Sequence, residues 1–289
     1  MLSRVFLLLC VFLLAAAPQL LAQQPPPASA ARILLLPKRI VSGETATLAV
    51  LDVNGRLTPG VTVNFSNGDH SVTNATGRAL FVAPLNPGVI YATIASHSAR
   101  VYTTILTPAE APSSSLQIFT APSLASLTDR FELSGTGFCG QADANTVRVG
   151  GKPALVLASS PAALIGLPPS DLEPGPAPVE ISCNKRPAPA FSITFLELSL
   201  QADSSPLNPG EHRTLTVDVR GTATKVSLEA RNLSPQIAEL AGENPSSARV
   251  TSSGGAENNA HFELIGLARG TFIISVRLSP TPAVNSLRP

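Results

Sequence analysis

Proline or glycine interrupts this chain about once every six residues, because 27 prolines and 20 glycines are spread over 289 positions. Neither residue is tolerated well inside an α-helix, so the sequence disfavours long helices. Apolar residues nevertheless make up 44% of the chain and charged residues only 13%, a composition too apolar for a disordered tail. Short strands separated by frequent turns satisfy both conditions. The sequence therefore predicts an all-β fold.

The first residues have the pattern of a secretory signal peptide. Arg4 precedes an apolar run of 13 residues from Val5 to Ala17, whereas a membrane-spanning helix needs roughly 20. A charged start, a short apolar centre and a small residue at the cleavage site are typical of exported proteins. We expect residues 1–22 to be removed after Ala22, with cleavage at Ala17 as the alternative. An uncleaved membrane anchor is the competing interpretation.

The charge balance limits the classes of partner that the chain can attract electrostatically. Arg4 is the only charge in the predicted signal peptide, so its removal leaves 19 basic and 19 acidic residues. This balance predicts no nucleic-acid partner and no attraction to an anionic membrane surface. Since no second long apolar segment follows, we expect no membrane span after cleavage. The predicted location is the periplasm, the cell surface or the medium.

Composition shifts divide the rest of the chain into three predicted domains. Their bounds are 33–106, 116–195 and 196–278. A Pro-rich linker (23–32) precedes them, a second linker (107–115) separates the first two, and a polar tail (279–289) follows. Because Pro-rich linkers act as extended spacers, we expect an elongated monomer.

The first domain is rich in alternating and turn-forming sequence. Residues 45–51 alternate Ala46, Leu48 and Val50 with other residues, the pattern of a half-buried strand. The runs DVNGRLTPGVTVNF, TNATGRALFVAPLNPG and VIYATIAS follow. Together they resemble the bacterial Ig-like repeats of invasin-type adhesins. The end of the third domain, from Phe262 to Val276, also resembles bacterial Ig-like repeats.

The most informative stretch is Ser134 to Val156, in which two short strand-like runs are joined by a Gly-Gly turn. It resembles the IPT/TIG family of immunoglobulin-like domains. The matching residues are Gly135, Gly137, Phe138, Asn145, Val147, Val149, Gly150, Gly151, Pro153 and Ala154. The resemblances imply three tandem immunoglobulin-like β-sandwich domains in a bacterial exported protein.

Cysteine usage agrees with export. Only Cys139 and Cys183 remain after signal cleavage, and two cysteines in an exported protein suggest one disulfide. The implied immunoglobulin-type sandwich places the loop after its second strand and the loop between its last two strands at the same end. On that basis we expect a Cys139–Cys183 disulfide.

Motifs of catalysis and cofactor binding do not occur in a suitable context. Gly135 to Gly140 satisfies G-x-G-x-x-G, but the residues that follow indicate a turn and a strand, whereas a dinucleotide site needs a helix. We predict no catalytic residues, no cofactor and no metal site, since the four histidines are scattered. Tyr91 and Tyr102 fall in strand patterns, so we expect them in core or rim positions and not on a sugar-binding platform.

The residues that remain for function are charged and amide side chains in loops of the central domain. Asp143, Asn145, Lys185 and Arg186 form the candidate interaction loop. The leading hypothesis is a non-catalytic exported protein for adhesion, scaffolding or extracellular protein interaction. The alternative is a polysaccharide-binding accessory protein. An enzyme is disfavoured by the missing motifs.

Overall fold

The computed structural model describes residues 32–94, 100–110, 115–201 and 205–279, and all but one of its regular elements are strands. The exception is a 3-10 helix at Ala142–Ala144. The all-β prediction is confirmed. No helix in these ranges is long and apolar enough to cross a membrane. The predicted signal peptide (1–22), nearly all of the first linker (23–32) and the tail after Ser279 lie outside the described residues.

The segment 33–106, which we name the N-terminal module, contains eight strands around one buried cluster. They are β1 (Ile33–Leu35), β2 (Arg39–Val41), β3 (Thr45–Leu51), β4 (Thr62–Phe65), β5 (His70–Val72), β6 (Arg78–Val82), β7 (Gly88–Ile94) and β8 (Val101–Leu106). One sheet pairs β1, β3 and β6; the other has the order β2-β8-β7-β4-β5. The pairing of β3 with β6, of β4 with β7 and of β7 with β8 matches an immunoglobulin-type sandwich.

The segment 116–195, the central module, repeats this arrangement. Its strands are β9 (Gln117–Thr120), β10 (Leu124–Ser126), β11 (Phe131–Thr136), β12 (Asn145–Val149), β13 (Lys152–Ser160), β14 (Ala163–Leu167), β15 (Gly175–Cys183), β16 (Arg186–Pro187) and the first half of β17 (Phe191–Gln201). β11 pairs with β14, while β12, β15 and β17 form the opposite sheet. β10 runs parallel to β17, as β2 does to β8.

The segment 196–278, the C-terminal module, begins inside a strand. β17 pairs with β15 through residues 191–195 and with the next strand through residues 197–201. The later strands are β18 (His212–Arg220), β19 (Ser227–Asn232), β20 (Ala238–Leu240), β21 (Ser247–Thr251), β22 (Asn259–Gly266) and β23 (Ile274–Leu278). They form the sheets β17-β18-β22-β20 and β21-β19-β23. The word module denotes a segment that has its own buried core. That each module is an independent domain stays a prediction.

The N-terminal and central modules are in direct contact, which corrects the expectation of domains held apart by a linker. Strand β3 was expected to be half-buried, but Ala46 to Leu51 are all buried. Its second face, including Ala49 and Leu51, packs with Leu157 and Ile165 of the central module in a shared apolar cluster. The outer residues of β3 are small or apolar, so a second sheet can cover them without stranding polar groups.

Gly140 explains how closely the two modules approach. A Cβ atom added to Gly140 would overlap the carbonyl oxygen of Thr45 in β3. The hydroxyl of Thr47 donates to the carbonyl of Gly140 at 2.8 Å and accepts from the N–H of Ala142 at 3.1 Å. The glycine-rich run therefore allows backbone contact between the modules. A three-residue 3-10 helix and then strand β12 follow it, whereas a dinucleotide site needs an α-helix there.

We expect Gly140→Ala to lower the free energy of unfolding by about 2 kcal/mol, because the new methyl group overpacks the junction. Urea unfolding of the exported protein measures this. The matched control is Gly151→Ala: its added Cβ meets nothing within 4 Å, although φ is +76°, so only the backbone strain of about 1 kcal/mol is expected. Equal losses in the two variants would contradict a special role for Gly140.

Candidate functional site

A disulfide links Cys139, in the connection between β11 and β12, to Cys183 at the end of β15, with the two Cα atoms 5.4 Å apart. Both cysteines are buried. The bond joins the two loops that carry the candidate interaction residues. It also fits export, because disulfides persist in oxidising compartments.

Asn145 has a structural role instead of the interaction role expected for it. It is only 7% exposed. Its Oδ1 accepts from the N–H of Cys139 at 2.9 Å, and its Nδ2 donates to the carbonyls of Cys139 and Gln141 at 2.8 and 3.1 Å. These bonds satisfy buried polar groups in the loop. No amide donor remains free for a partner.

Asp143 is exposed but belongs to the junction of the modules. Its Oδ1 lies 3.2 Å from Nη1 of Arg78 in β6. Arg78 is itself buried and also donates to the carbonyls of Val156 and Leu157, at 2.6 and 3.2 Å. Arg78 of the N-terminal module thus donates its side-chain hydrogen bonds to residues of the central module. A carboxylate so placed completes an intramolecular contact.

Lys185 and Arg186 lie on the other linked loop. Cys183 pairs with Arg186 across a two-residue turn, and both turn residues, Asn184 and Lys185, have positive φ of 48° and 65°. That geometry is the type I′ turn of tight hairpins. Lys185 and Arg186 are both exposed. Of the four candidate residues, these two remain available to a partner.

The linked loops form one wall of a cleft of about 570 Å³ between the two modules. Arg186, Gln141 and Cys139 line it from the central module, and Val41, Glu44 and Thr45 line it from the N-terminal module. Glu44 is the only carboxylate and Arg186 the only guanidinium among the lining residues. Within the described ranges, no group of three or more His, Cys, Asp or Glu side chains is placed to hold a metal ion.

Tyr91 and Tyr102 lie on a solvent-facing sheet surface, away from the core. They are directly opposed across β7 and β8, 46% and 57% exposed, with ring centroids 6.5 Å apart. Val89 and Val72 are also exposed on this sheet, and Thr104 and Asn64 share its outward positions. We call this surface the tyrosine face. The expected core or rim position for the two tyrosines is therefore corrected.

A signal for the tyrosine face was present in the sequence, but only in part. Ile90, Ala92 and Ile94 alternate along β7 and point into the core, which forces Tyr91 outward. The same alternation around Thr103 and Ile105 places Tyr102 outward. That the two rings sit side by side depends on the register of β7 and β8, which neither local pattern contains.

The disulfide is expected to stabilise the protein by about 4 kcal/mol, since it closes a loop spanning 44 positions. We predict a loss of that order in urea unfolding of a Cys139→Ser/Cys183→Ser variant. Intact-mass measurement with and without reductant before alkylation tests the bond itself. Two thiols alkylated in unreduced, exported protein would exclude it.

No family model matches this chain, and no curated protein matches it. Solved structures give weak likenesses. SGBP-B of the Bacteroides ovatus mixed-linkage glucan utilization locus, in complex with a mixed-linkage heptasaccharide, is 12% identical with a TM-score of 0.35, covering 89% of this chain and 76% of that chain. The plexin A4 full extracellular region is 11% identical with a TM-score of 0.29, covering 90% and 24%.

Sidekick-1 immunoglobulin domains 1–4 are 10% identical with a TM-score of 0.25, covering 82% of this chain and 76% of that chain. At these TM-scores the likenesses carry no argument about the activity or ligands of this protein. The IPT/TIG and invasin-type resemblances stay predictions.

Proposed function

We propose that this chain is a non-catalytic exported protein that binds a partner protein outside the cytoplasm through the tyrosine face. The observation that supports this proposal is that Tyr91 and Tyr102 are exposed as a pair, with Val72 and Val89 exposed on the same sheet. Exposed apolar side chains gathered on one face mark interaction sites. Tyrosine is also among the residues that contribute most to binding energy at protein interfaces.

The position of the face within the module supports this proposal. The two rings stand on paired strands and not on a loop, so little side-chain and backbone freedom is lost when a partner binds. The same sheet buries Ile90, Ala92 and Ile105 on its inner side, which fixes the backbone under the rings. Contacts of β3 and Arg78 with the central module hold the whole N-terminal module in place.

Lys185 and Arg186 are proposed as a second, weaker contact. They are exposed on a tight turn next to the cleft, and they add cationic donors but no apolar area. A charge at the edge of an interface affects association rates and specificity more than affinity. Asn145 and Asp143 are omitted from this contact, because the amide of Asn145 and Oδ1 of Asp143 bind within the protein.

Polysaccharide binding is the second candidate function, and one specific observation favours it. The rings are bordered by neutral hydrogen-bonding side chains, among them Thr93, Thr104 and Asn64. An exposed pair of tyrosine rings with hydroxyl and amide groups beside it suits a sugar chain as well as a protein surface. The same face would serve both functions, so the two must be separated by experiment.

A photo-crosslinking amino acid placed at Tyr102 in the exported protein tests the proposal. We expect one discrete protein adduct, identified by mass spectrometry, that is lost when Tyr91→Ser is added, because the paired ring supplies part of the contact. The matched control places the crosslinker at Phe119, an exposed aromatic residue on β9 of the central module. That position should give no such adduct.

A glycan array and insoluble polysaccharides form the second arm of this test. Binding to a glycan that Tyr91→Ser/Tyr102→Ser abolishes, without a protein adduct, would replace the first candidate by the second. Adducts of equal yield at Tyr102 and Phe119 would contradict protein binding by the tyrosine face. If the crosslinker gives no adduct and no glycan binds, both candidate functions are overturned.

A further inference from the structure

The outward face of the C-terminal sheet gathers three arginines around one carboxylate. In the antiparallel sheet β21-β19-β23, Glu229 lies between Arg249 of β21 and Arg277 of β23, each directly opposite it. Arg231 is two residues further along β19 on the same face. We call this set the arginine face. Its members come from positions 229 to 277 and meet only through strand register.

Glu229 fixes part of this set. Its side chain is only 7% exposed, and its Oε2 accepts from Nε and Nη2 of Arg277 at 3.0 and 2.6 Å. Its Oε1 lies 3.6 Å from Nε of Arg231. The hydrogen bonds from Arg277, helped by the charges of Arg277, Arg231 and Arg249, hold the pKa of Glu229 below its ordinary value. The group is therefore a carboxylate that orients the arginines.

The face retains an excess of positive charge. The flanking outward positions of the three strands carry hydroxyl side chains, so Glu229 is the only carboxylate on the paired strands of this face; those positions are Ser227, Ser247, Thr251 and Ser275. Three arginines against one glutamate leave a net charge of +2 on this face, whereas the formal net charge of the whole chain is only +1. Arg249 is exposed and forms no salt bridge with any described residue.

Donor capacity leads to the same conclusion as charge. A guanidinium has five N–H donors, and a single carboxylate satisfies few of the fifteen or so that three arginines present. The short serine and threonine neighbours leave the guanidinium groups standing above the sheet. Planar guanidinium groups bind carboxylate and sulfate oxygens in pairs. The complement of this surface is an array of anionic groups.

We propose that the arginine face binds an acidic polysaccharide, through the carboxylate or sulfate groups along its chain. A small anion would suit a concave pocket, but Arg249 and Arg277 stand on strands separated by β19, so their backbones are roughly 10 Å apart. The cleft between the N-terminal and central modules does not include these residues. The spacing and the open surface suit a polymer that crosses the three strands. This site is independent of the tyrosine face.

Affinity electrophoresis of the full exported protein tests this inference. Gels contain polygalacturonate, dextran sulfate, unsubstituted dextran or double-stranded DNA. We expect retardation by the two acidic polysaccharides, weakening as salt is raised because the contacts are ionic, and none by dextran. Arg231→Gln/Arg249→Gln should reduce the affinity by about tenfold or more, since hydrogen bonds between charged groups are lost.

The control is Arg148→Gln/Arg269→Gln, which removes the same total charge from exposed arginines elsewhere. Its affinity should equal that of the unaltered protein, and thermal unfolding should show all three proteins folded. Arg277 is left intact because it pairs with the buried Glu229. Absence of binding, equal losses in both double variants, or equal retardation by DNA would overturn the proposal.

Discussion

The burial of β3 on both faces is the constraint on which the arrangement of the first two modules depends. One face fills the core of the N-terminal module through Ala46 and Leu48, and the other packs on Leu157 of the central module. Such contact requires two backbones to meet without side chains between them, which Gly140 permits. It also requires the polar atoms there to be paired, which Thr47 and Arg78 achieve. The N-terminal and central modules are therefore joined by packing contacts in addition to the chain that connects them.

This junction changes the meaning of the loop that the sequence singled out. Cys139, Asp143 and Asn145 lie within seven residues of one another between the end of β11 and the start of β12. They are engaged within the protein by a disulfide, an ion pair and an amide network respectively. Sequence patterns reveal polar residues in loops, but they do not show whether a second module covers them. Lys185 and Arg186 differ, because the type I′ turn and the two-residue strand β16 that follows it leave both residues exposed.

Local patterns predicted the strands well, because alternation such as Ile90, Ala92 and Ile94 reports which side faces a core. The turn chemistry around Gly150 and Gly151 also appears as expected, since both residues have positive φ. What local patterns lack is register. The Tyr91–Tyr102 pair depends on the register between the consecutive strands β7 and β8. The Arg249–Glu229–Arg277 row joins three strands that other elements separate in sequence. The nearly balanced total charge gave no sign of the arginine row, because these charged residues come together only when the chain folds.

The arginine face therefore combines two roles that can be separated physically. A carboxylate as buried as Glu229 is costly unless it is paired and hydrogen-bonded, and Arg277 alone supplies two bonds to one of its oxygens. Stability explains that pair. It does not explain Arg249, which is exposed and has no salt bridge among the described residues, or why serine and threonine occupy the positions where further carboxylates would neutralise it. Like charges held close together raise the energy of the folded state. An anionic ligand relieves that repulsion, and the structural pair keeps the remaining guanidinium groups in position to receive it.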